Sequence, residues 1–540
     1  MTSETAAAAG ASDLAAAPPS QTRSHWLGIA SVLLGAAIST LTSRLSSFGL
    51  ADIRGAVHAG FDDGAWITTA QAAAQMLVTP FAVWFGSVYG PRRILLIACV
   101  AFTVAEFLVP FSENLPTLLV LQFVAGLGSG CFIPLTLSFI LQRMSPKLWT
   151  YGVALYALHV ELSTHISASL EGWYIDHASW HWIFWQNIPL AIGMAACLHF
   201  GVLTESKRDS SVKVDVFGHV AFGVGLALIY AALDQGNRLD WLNSGLIWGL
   251  LSAGAILLAA FLVHASRSEK PWLDVRVAFA LPLPLLLLLL ACLRSSILST
   301  TFLVPQFLGV VRGFRDLDVG DALLWVGLPQ LLLCPLSGLV LRFVDPRLHA
   351  GLGMCGIGCA CLMAAYGLTP LWGSDQFLVS QLLQAVGQSM AFTGVVYTSV
   401  LNLRPESILT FGAMIQTARL LGGEAGQAFT ATFQRIREQR ASNLIGLHVQ
   451  AGTDDVVHRL RAYGHVLARA AGFDSNGAAS TTILSHVVRS AATTQSVIDS
   501  YVALAAIVLV GLVILATLKA PPGAPPPLTH LLFGKRQRAA

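Results

Sequence analysis

Apolar residues in this chain gather into runs of about twenty, the length a helix needs to cross a bilayer, with short breaks rich in Gly, Pro and basic residues between them. Fourteen runs are predicted to be helical spans, at roughly 26–50, 64–87, 94–111, 116–141, 149–172, 182–204, 215–234, 245–265, 278–308, 320–341, 350–369, 376–401, 408–434 and 499–518. The ninth is long enough to tilt, or to be broken at Pro282 and Pro284. The pattern predicts an all-α polytopic membrane protein. Between the last two runs, about 435–498 is long and mostly polar. Within it Val456, Val457, Leu460, Tyr463, Leu467 and Ala471 recur at three- and four-residue steps, predicting an amphipathic helix that needs a surface to cover. From Gln434 to Arg440 the helix of the thirteenth span is expected to continue into water, with Arg435, Glu438 and Gln439 at the spacings of supporting pairs.

Composition closes off the alternatives. The 540 residues are 55% hydrophobic and 11% charged, with mean hydropathy +0.66. A soluble domain carries about 25% charged residues, so this surface is built for lipid. A net charge of +3 is too small to point to nucleic acid as a partner. All eight cysteines, including the cluster Cys355, Cys359 and Cys361, fall in apolar runs without disulfide or metal spacing and are expected to pack in the core. No metal site and no cofactor is expected, and no phosphate-binding Walker loop is present to bring ATP into the cycle. An ion gradient is the remaining source of work.

Basic residues set the orientation. Arg92, Arg93, Arg143, Lys147, Lys207, Arg208, Lys213, Arg267, Lys270, Arg276, Arg342, Arg347 and Arg404 fall in loops on one side, as do Lys519, Lys535, Arg536 and Arg538 of the tail. The short loops on the other side hold Arg54, Arg238, Arg312 and Arg315. Both termini are therefore expected to be cytoplasmic, with 435–498 on the far side. Residues 1–25 and 519–540 read as cytoplasmic tails, and the run after Arg23 as a retained first span rather than a signal peptide.

The punctuation repeats. Arg44-Leu-Ser-Ser-Phe48 in span 1 answers Arg294-Ser-Ser-Ile-Leu298 in span 9. Gln122, Gly126 and Gly128 in span 4 answer Gln381, Ala385 and Gly387 in span 12, and Gly90-Pro91-Arg92-Arg93 answers Asp345-Pro346-Arg347. Two six-helix bundles, 26–204 and 277–518, follow from this, with two linker helices and their loops at 205–276.

Ionisable groups inside spans are costly and normally kept for function. Glu161 and His165, one helical turn apart in span 5, could carry a proton as access alternates, or could tie that span to a neighbour. Glu171 lies near the outer mouth of the same span as a further proton-coupling candidate, and Glu106 reads as structural. Arg44 and Arg294 would face one central cavity from the two repeats. There a carboxylate-bearing substrate would satisfy both, or an acid such as Glu106 or Glu161 would. Gln71, Gln75, Gln122 and Gln381 are uncharged hydrogen-bonding groups suited to line that cavity.

Gly172-Trp173, Asp176, Ser179-Trp180-His181-Trp182-Ile183-Phe184, Asn187, Pro189, Val304-Pro305-Gln306-Phe307 and Arg419-Leu420-Leu421-Gly422-Gly423 with Gly426 resemble the major facilitator superfamily. Over about 26–518 the chain is most similar to its fourteen-span drug:proton antiporter family, the EmrB/QacA type. The resemblance implies a conformational-loop motif, of which Gly90, Arg92 and Arg93 are present while Ser87 and Val88 depart from it. It also implies an Asp in span 1 and an Arg in span 4, where Thr42 and Gln122 stand, and Gly-Pro with Gly-Gly in span 5, where Ser167-Ala168 and Glu171-Gly172 stand. Arg419 matches a family position and reads equally as a helix-packing residue.

The expectation is a proton-coupled secondary transporter in a bacterial inner membrane, exporting small amphipathic compounds or drugs, acidic aromatic ones among the candidates; the outward direction is implied by the resemblance alone. The resemblance also implies a periplasmic adaptor protein as partner, and the amphipathic segment 435–498 is expected either to dock it or to fold as a lid over the exit. An importer of organic anions, and a membrane-embedded enzyme on lipid-linked substrates, are the alternatives.

Overall fold

The computed structural model describes residues 25–135, 148–201, 215–268, 272–273, 279–402, 408–450, 452–471 and 477–521. Residues 1–24 with Arg23, the loop residues Arg143, Lys147, Lys207, Arg208, Lys213, Lys270, Arg276 and Arg404, and the tail residues Lys535, Arg536 and Arg538 lie outside them. Among the described residues the fold is helical, with no strand.

The first bundle contains α1 (His25–Phe48), the short α2 (Leu50–Ala56) and α3 (Phe61–Gly64), α4 (Trp66–Tyr89) and α5 (Pro91–Leu108). It continues through α6 (Leu115–Gly130), α7 (Trp149–His177), the single turn α8 (Trp182–Trp185) and α9 (Asn187–Gly201). Then come α10 (Val216–Gly236) and α11 (Gly245–Arg267). The second bundle holds α12 (Leu283–Ser296), α13 (Leu298–Thr301), α14 (Leu303–Arg312), α15 (Asp316–Val340), α16 (Pro346–Gly367) and α17 (Leu378–Leu401). It closes with α18 (Ile408–Gly446), α19 (Asp454–Ala471) and α20 (Gly477–Thr517).

Among the described residues, eleven helical stretches are long and apolar enough to cross a membrane by length and composition. They are carried by α1, α3–α4, α5, α6, α8–α9, α10, α11, α12–α14, α15, α16 and α20. Three further long helices, α7, α17 and α18, are too polar to be counted with them. Their polar residues have a physical reason: Glu161 and His165 on α7, Gln381, Gln384 and Gln388 on α17, and Arg419 and Glu424 on α18 are buried against protein, where hydrogen bonding and charge are tolerated. The lipid-facing helices differ. On α5, Ile97, Val100 and Val104 point outward, and on α11 Trp248, Ile256 and Val263 do the same.

The two bundles repeat one packing plan. In the first, α1 packs on α7 and α9, α6 on α4 and α5, and α5 on α9; in the second, α12 packs on α18 and α20, α17 on α15 and α16, and α16 on α20. Glycines set the closest crossings. A Cβ on Gly128 would meet Ala98 O at 2.9 Å, and one on Gly387 would meet Gly353 O at 2.8 Å, so each repeat brings its fourth helix onto its third at backbone contact.

The bundles meet chiefly along α7 and α15, which run antiparallel. Gly172 lies on the Leu317 backbone, Gly320 on Ser169, Gly327 on His165 and Gly338 on Ala154. The second interface, α4 with α18, is smaller, and α10 fills its flank by packing on α4, on α18 and on α11.

Two local expectations need correction. The ninth span is broken at Ile297 and Phe302 rather than at Pro282 and Pro284, which sit at the start of α12. Pro305 explains the second break, because it lacks the N–H that would bond Thr301 O and its ring crowds that carbonyl. Cys361 is buried as expected, but Cys355 and Cys359, one turn apart on α16, are exposed on its outer face instead of packed in the core.

Beyond the apolar region α18 and α20 continue as a helical pair, and α19 packs its Val456 face on α20. Arg435 pairs with Asp240 at 3.2 Å and Arg437 with Asp499 at 2.6 Å, so these arginines tie α18 to its neighbours rather than bonding along their own helix. Asn243 and then Arg435 hold the Asp240 carboxyl below its ordinary range.

Candidate functional site

Between the bundles lies a cavity of about 130 Å³. Its walls come from α1 (Ser39, Thr40, Ser43, Arg44, Ser47), α4 (Thr68, Gln71, Ala72), α10 (Tyr230, Asp234), α12–α13 (Arg294, Leu298) and α18 (Arg419, Leu420, Gly423, Glu424, Gln427). On α1, Thr40 Oγ1 donates to Ala36 O at 3.0 Å and Thr42 Oγ1 to Ile38 O at 2.8 Å, bonding back into the helix, while Ser39 Oγ and Ser46 Oγ are buried without a partner.

Arg44 and Arg294, picked out by the repeat, face this one cavity from the two bundles, and Arg419 joins them. Arg419 Nε donates to Gln416 Oε1 at 3.0 Å. Arg294 Nε and Nη1 and Gln71 Nε2 are buried without a hydrogen-bond partner. A guanidinium keeps its charge at any accessible pH, so these groups call for an anion.

Glu161 stands behind the cavity on α7, fully buried, with Arg294, Arg44 and Arg419 as the surrounding cations. Both of its carboxylate oxygens lack a hydrogen-bond partner, and Gln330 of α15 faces it without closing a hydrogen bond. His165 does not pair with that carboxyl. Its Nδ1 meets the Glu161 main-chain oxygen at 2.7 Å, and its Nε2 is unpartnered.

The other sequence candidates fall elsewhere. Gln75 Nε2 donates to Ser129 Oγ at 3.0 Å, joining α4 to α6. Gln122 and Gln381 are buried away from the cavity lining, and both amide atoms of Gln122 are unpartnered. Glu106 accepts from Asn187 Nδ2 at 3.1 Å and so links α5 to α9. Glu171 is buried at the end of the α7–α15 seam, facing Asp316 and Asp52, close to the Asp176–Arg315 ion pair at 2.7 Å. Gly90, at φ +87°, turns the chain into α5, and Arg92 Nη2 donates to His199 O at 3.2 Å.

Sequence reading missed three titratable residues of the cavity lining: Tyr230, Asp234 and Glu424. Glu424 carried a signal, as a carboxylate inside the Gly422-Gly423…Gly426 run of an apolar stretch. Asp234 did not, because it falls where the seventh run fades into Gln235-Gly236-Asn237 and reads as a helix end.

Two pseudo-symmetric helical bundles around a polar central cavity, in a multi-pass membrane protein, define an alternating-access transporter rather than an enzyme. Residues 32–427 match the family model of the Major Facilitator Superfamily, and the chain belongs to that family. It is 26% identical over 414 residues to the probable multidrug resistance protein EmrY of Escherichia coli, covering 76% of this chain and 81% of that one. It is 24% identical to the multidrug export protein EmrB of Haemophilus influenzae, covering 78% and 82%, and 23% identical to the fatty acid resistance protein FarB of Neisseria gonorrhoeae, covering 75% and 80%. These relatives support the EmrB type of drug:proton antiporter named from the sequence. The human organic anion transporter MFSD10 shares the fold at 14% identity, with a TM-score of 0.52 over 91% of this chain and 97% of that one.

Proposed function

We propose that this protein is a proton-coupled secondary exporter of small amphipathic, acidic aromatic compounds across a bacterial inner membrane. One observation carries the substrate class: Arg44 and Arg294, at equivalent places in the two repeats, line one cavity together with Arg419. An acidic substrate entering there would neutralise buried guanidiniums that lack a partner. The Neisseria relative is named for resistance to fatty acids, which are amphipathic carboxylates, and this supports the acidic, amphipathic part of the reading.

In this reading α7, α17 and α18 complete fourteen spans, in bundles 26–204 and 277–518 joined by the helices of 205–276, with both termini cytoplasmic. Glu161 carries the coupled proton, its carboxyl lying among the three arginines that the substrate also addresses. The Glu161 carboxylate and the substrate carboxylate would then address one set of charges, so the protonation state of Glu161 and substrate binding are coupled. His165 and Glu171 are the further proton-coupling candidates. The helices of 435–498 form the surface on which a periplasmic adaptor docks.

The test is flux of an aromatic acid in proteoliposomes under an imposed proton gradient. Gradient-driven movement opposite to the protons is expected, and Arg44→Lys and Arg294→Lys should each slow it, since an ammonium cannot reproduce the planar bidentate fork. Neutral compounds should be less affected. Flux in the direction of the protons would make the protein an importer, and equal losses for acidic and neutral compounds would remove the arginines from substrate binding.

A further inference from the structure

The cavity has a second pole. Opposite charges line it without pairing: among the described residues no ion pair within 4.0 Å joins Arg44, Arg294 or Arg419 to Asp234 or Glu424. The acids are occupied by neutral partners instead. Asp234 accepts from Thr69 Oγ1 of α4 and from Gln235 Nε2 at 3.2 Å, and Glu424 faces the phenol of Tyr230. Two of these three groups, Tyr230 and Asp234, come from α10, a helix that belongs to neither six-helix bundle and is held against α4 by Gly223 on Leu77 O and Pro80. A helix that only joined the bundles would need no carboxylate pointing inward, and burying one is costly.

We infer that α10 forms the cation-recognising wall of the transport cavity, where Tyr230 and Asp234, with Glu424, bind the cationic group of a zwitterionic amphiphile whose carboxylate lies on the arginines. The inference rests on the acidic-compound reading above and narrows it. Opposite charges held apart in one cavity favour a ligand that carries both signs, because each pole then gains a counter-charge and neither is left desolvated alone. The phenol and carboxylates suit an ammonium through cation–π and charge-assisted contact.

Three probes of one skeleton test this on the purified full-length protein by calorimetric binding: 4-(aminomethyl)benzoate carries both charges, 4-methylbenzoate the anion alone and 4-methylbenzylamine the cation alone. The zwitterion is expected to bind best. Asp234→Asn keeps the oxygen that accepts from Thr69, so it preserves the α4–α10 tie while removing the charge. It should lower the ratio of zwitterion to benzoate affinity by about tenfold, the size of one charge-assisted contact, and Glu424→Gln should lower it in the same sense. Thr69→Val, which cuts the tie but leaves the charge, should not move that ratio. Equal affinities for zwitterion and benzoate, or an Asp234→Asn ratio like that of the unmodified protein, would overturn the inference while leaving the acidic-compound reading standing. Binding of the benzylamine alone, or of none of the probes, would overturn both.

Discussion

Arg92 and Arg347 make the same bond in the two halves of the molecule. Each sits one residue after a proline that opens the third helix of its repeat, and each donates to the main chain at the end of its bundle's last helix. Arg92 Nη2 reaches His199 O at 3.2 Å, and Arg347 Nη1 reaches Leu518 O at 2.7 Å. A guanidinium there satisfies a carbonyl left without an intrahelical partner and complements the negative helix end. Arg347 is also paired with Asp345 at 2.8 Å and is partly buried, whereas the Arg92 bond is exposed. Arg347→Ala is therefore expected to lower stability by about 1–2 kcal/mol, and Arg92→Ala by clearly less. Thermal unfolding in detergent checks the order, and the reverse order would show that exposure does not govern these ties.

Glycine contacts make a second prediction. A Cβ on Gly126 would come within 2.2 Å of Gln71 O, at the helix that presents Gln71 to the cavity. Gly126→Ala should push α6 off α4 and destabilise the protein by about 1–3 kcal/mol, with substrate binding weakened as well. Gly249 of α11 has nothing within 4 Å. There the same change should be neutral or stabilise by up to about 1 kcal/mol, through helix propensity alone. The pair is read from melting temperatures of the two variants side by side.

Coupling is expected to reside in Glu161. Glu161→Gln keeps the shape of a side chain buried among three arginines but fixes it in the neutral form. Gradient-driven flux should be lost, while substrate exchange without a gradient persists. Wild-type driven flux in this variant would move the proton role to Glu171, which lies at the end of the α7–α15 seam.

The helices beyond the apolar region can be removed as a unit. Deleting 445–490 and rejoining α18 to α20 by a short flexible linker takes away α19 and the helix tips, leaving the Arg437–Asp499 pair in place. If this segment docks an adaptor, flux in isolated vesicles stays normal while export from whole cells falls. An equal fall in both would identify the segment as a lid over the exit.

Much of the architecture was written in the order of residues. Twenty-residue apolar runs specify spans because a bilayer leaves the backbone no other way to satisfy its hydrogen bonds. The matched punctuation at Arg44 and Arg294, at Gly128 and Gly387, and at Arg92 and Arg347 marks a duplicated unit whose local contacts recur in both copies. These are properties of short segments and can be read without knowing what lies across the molecule. What only the tertiary structure decided is which polar groups share a space. Gln71 and Gln75 are one turn apart on α4, yet Gln71 lines the cavity while Gln75 bonds Ser129. Glu161 and His165 are also one turn apart, and their side chains do not meet. Asp234 looked like the frayed end of a linker helix, and it became a cavity wall because α10 packs on α4 and α18, beside the arginines. Helical spacing determines the face a side chain takes on its own cylinder. The group it meets depends on the position and rotation of the neighbouring helices, which are set by contacts between residues far apart in the chain.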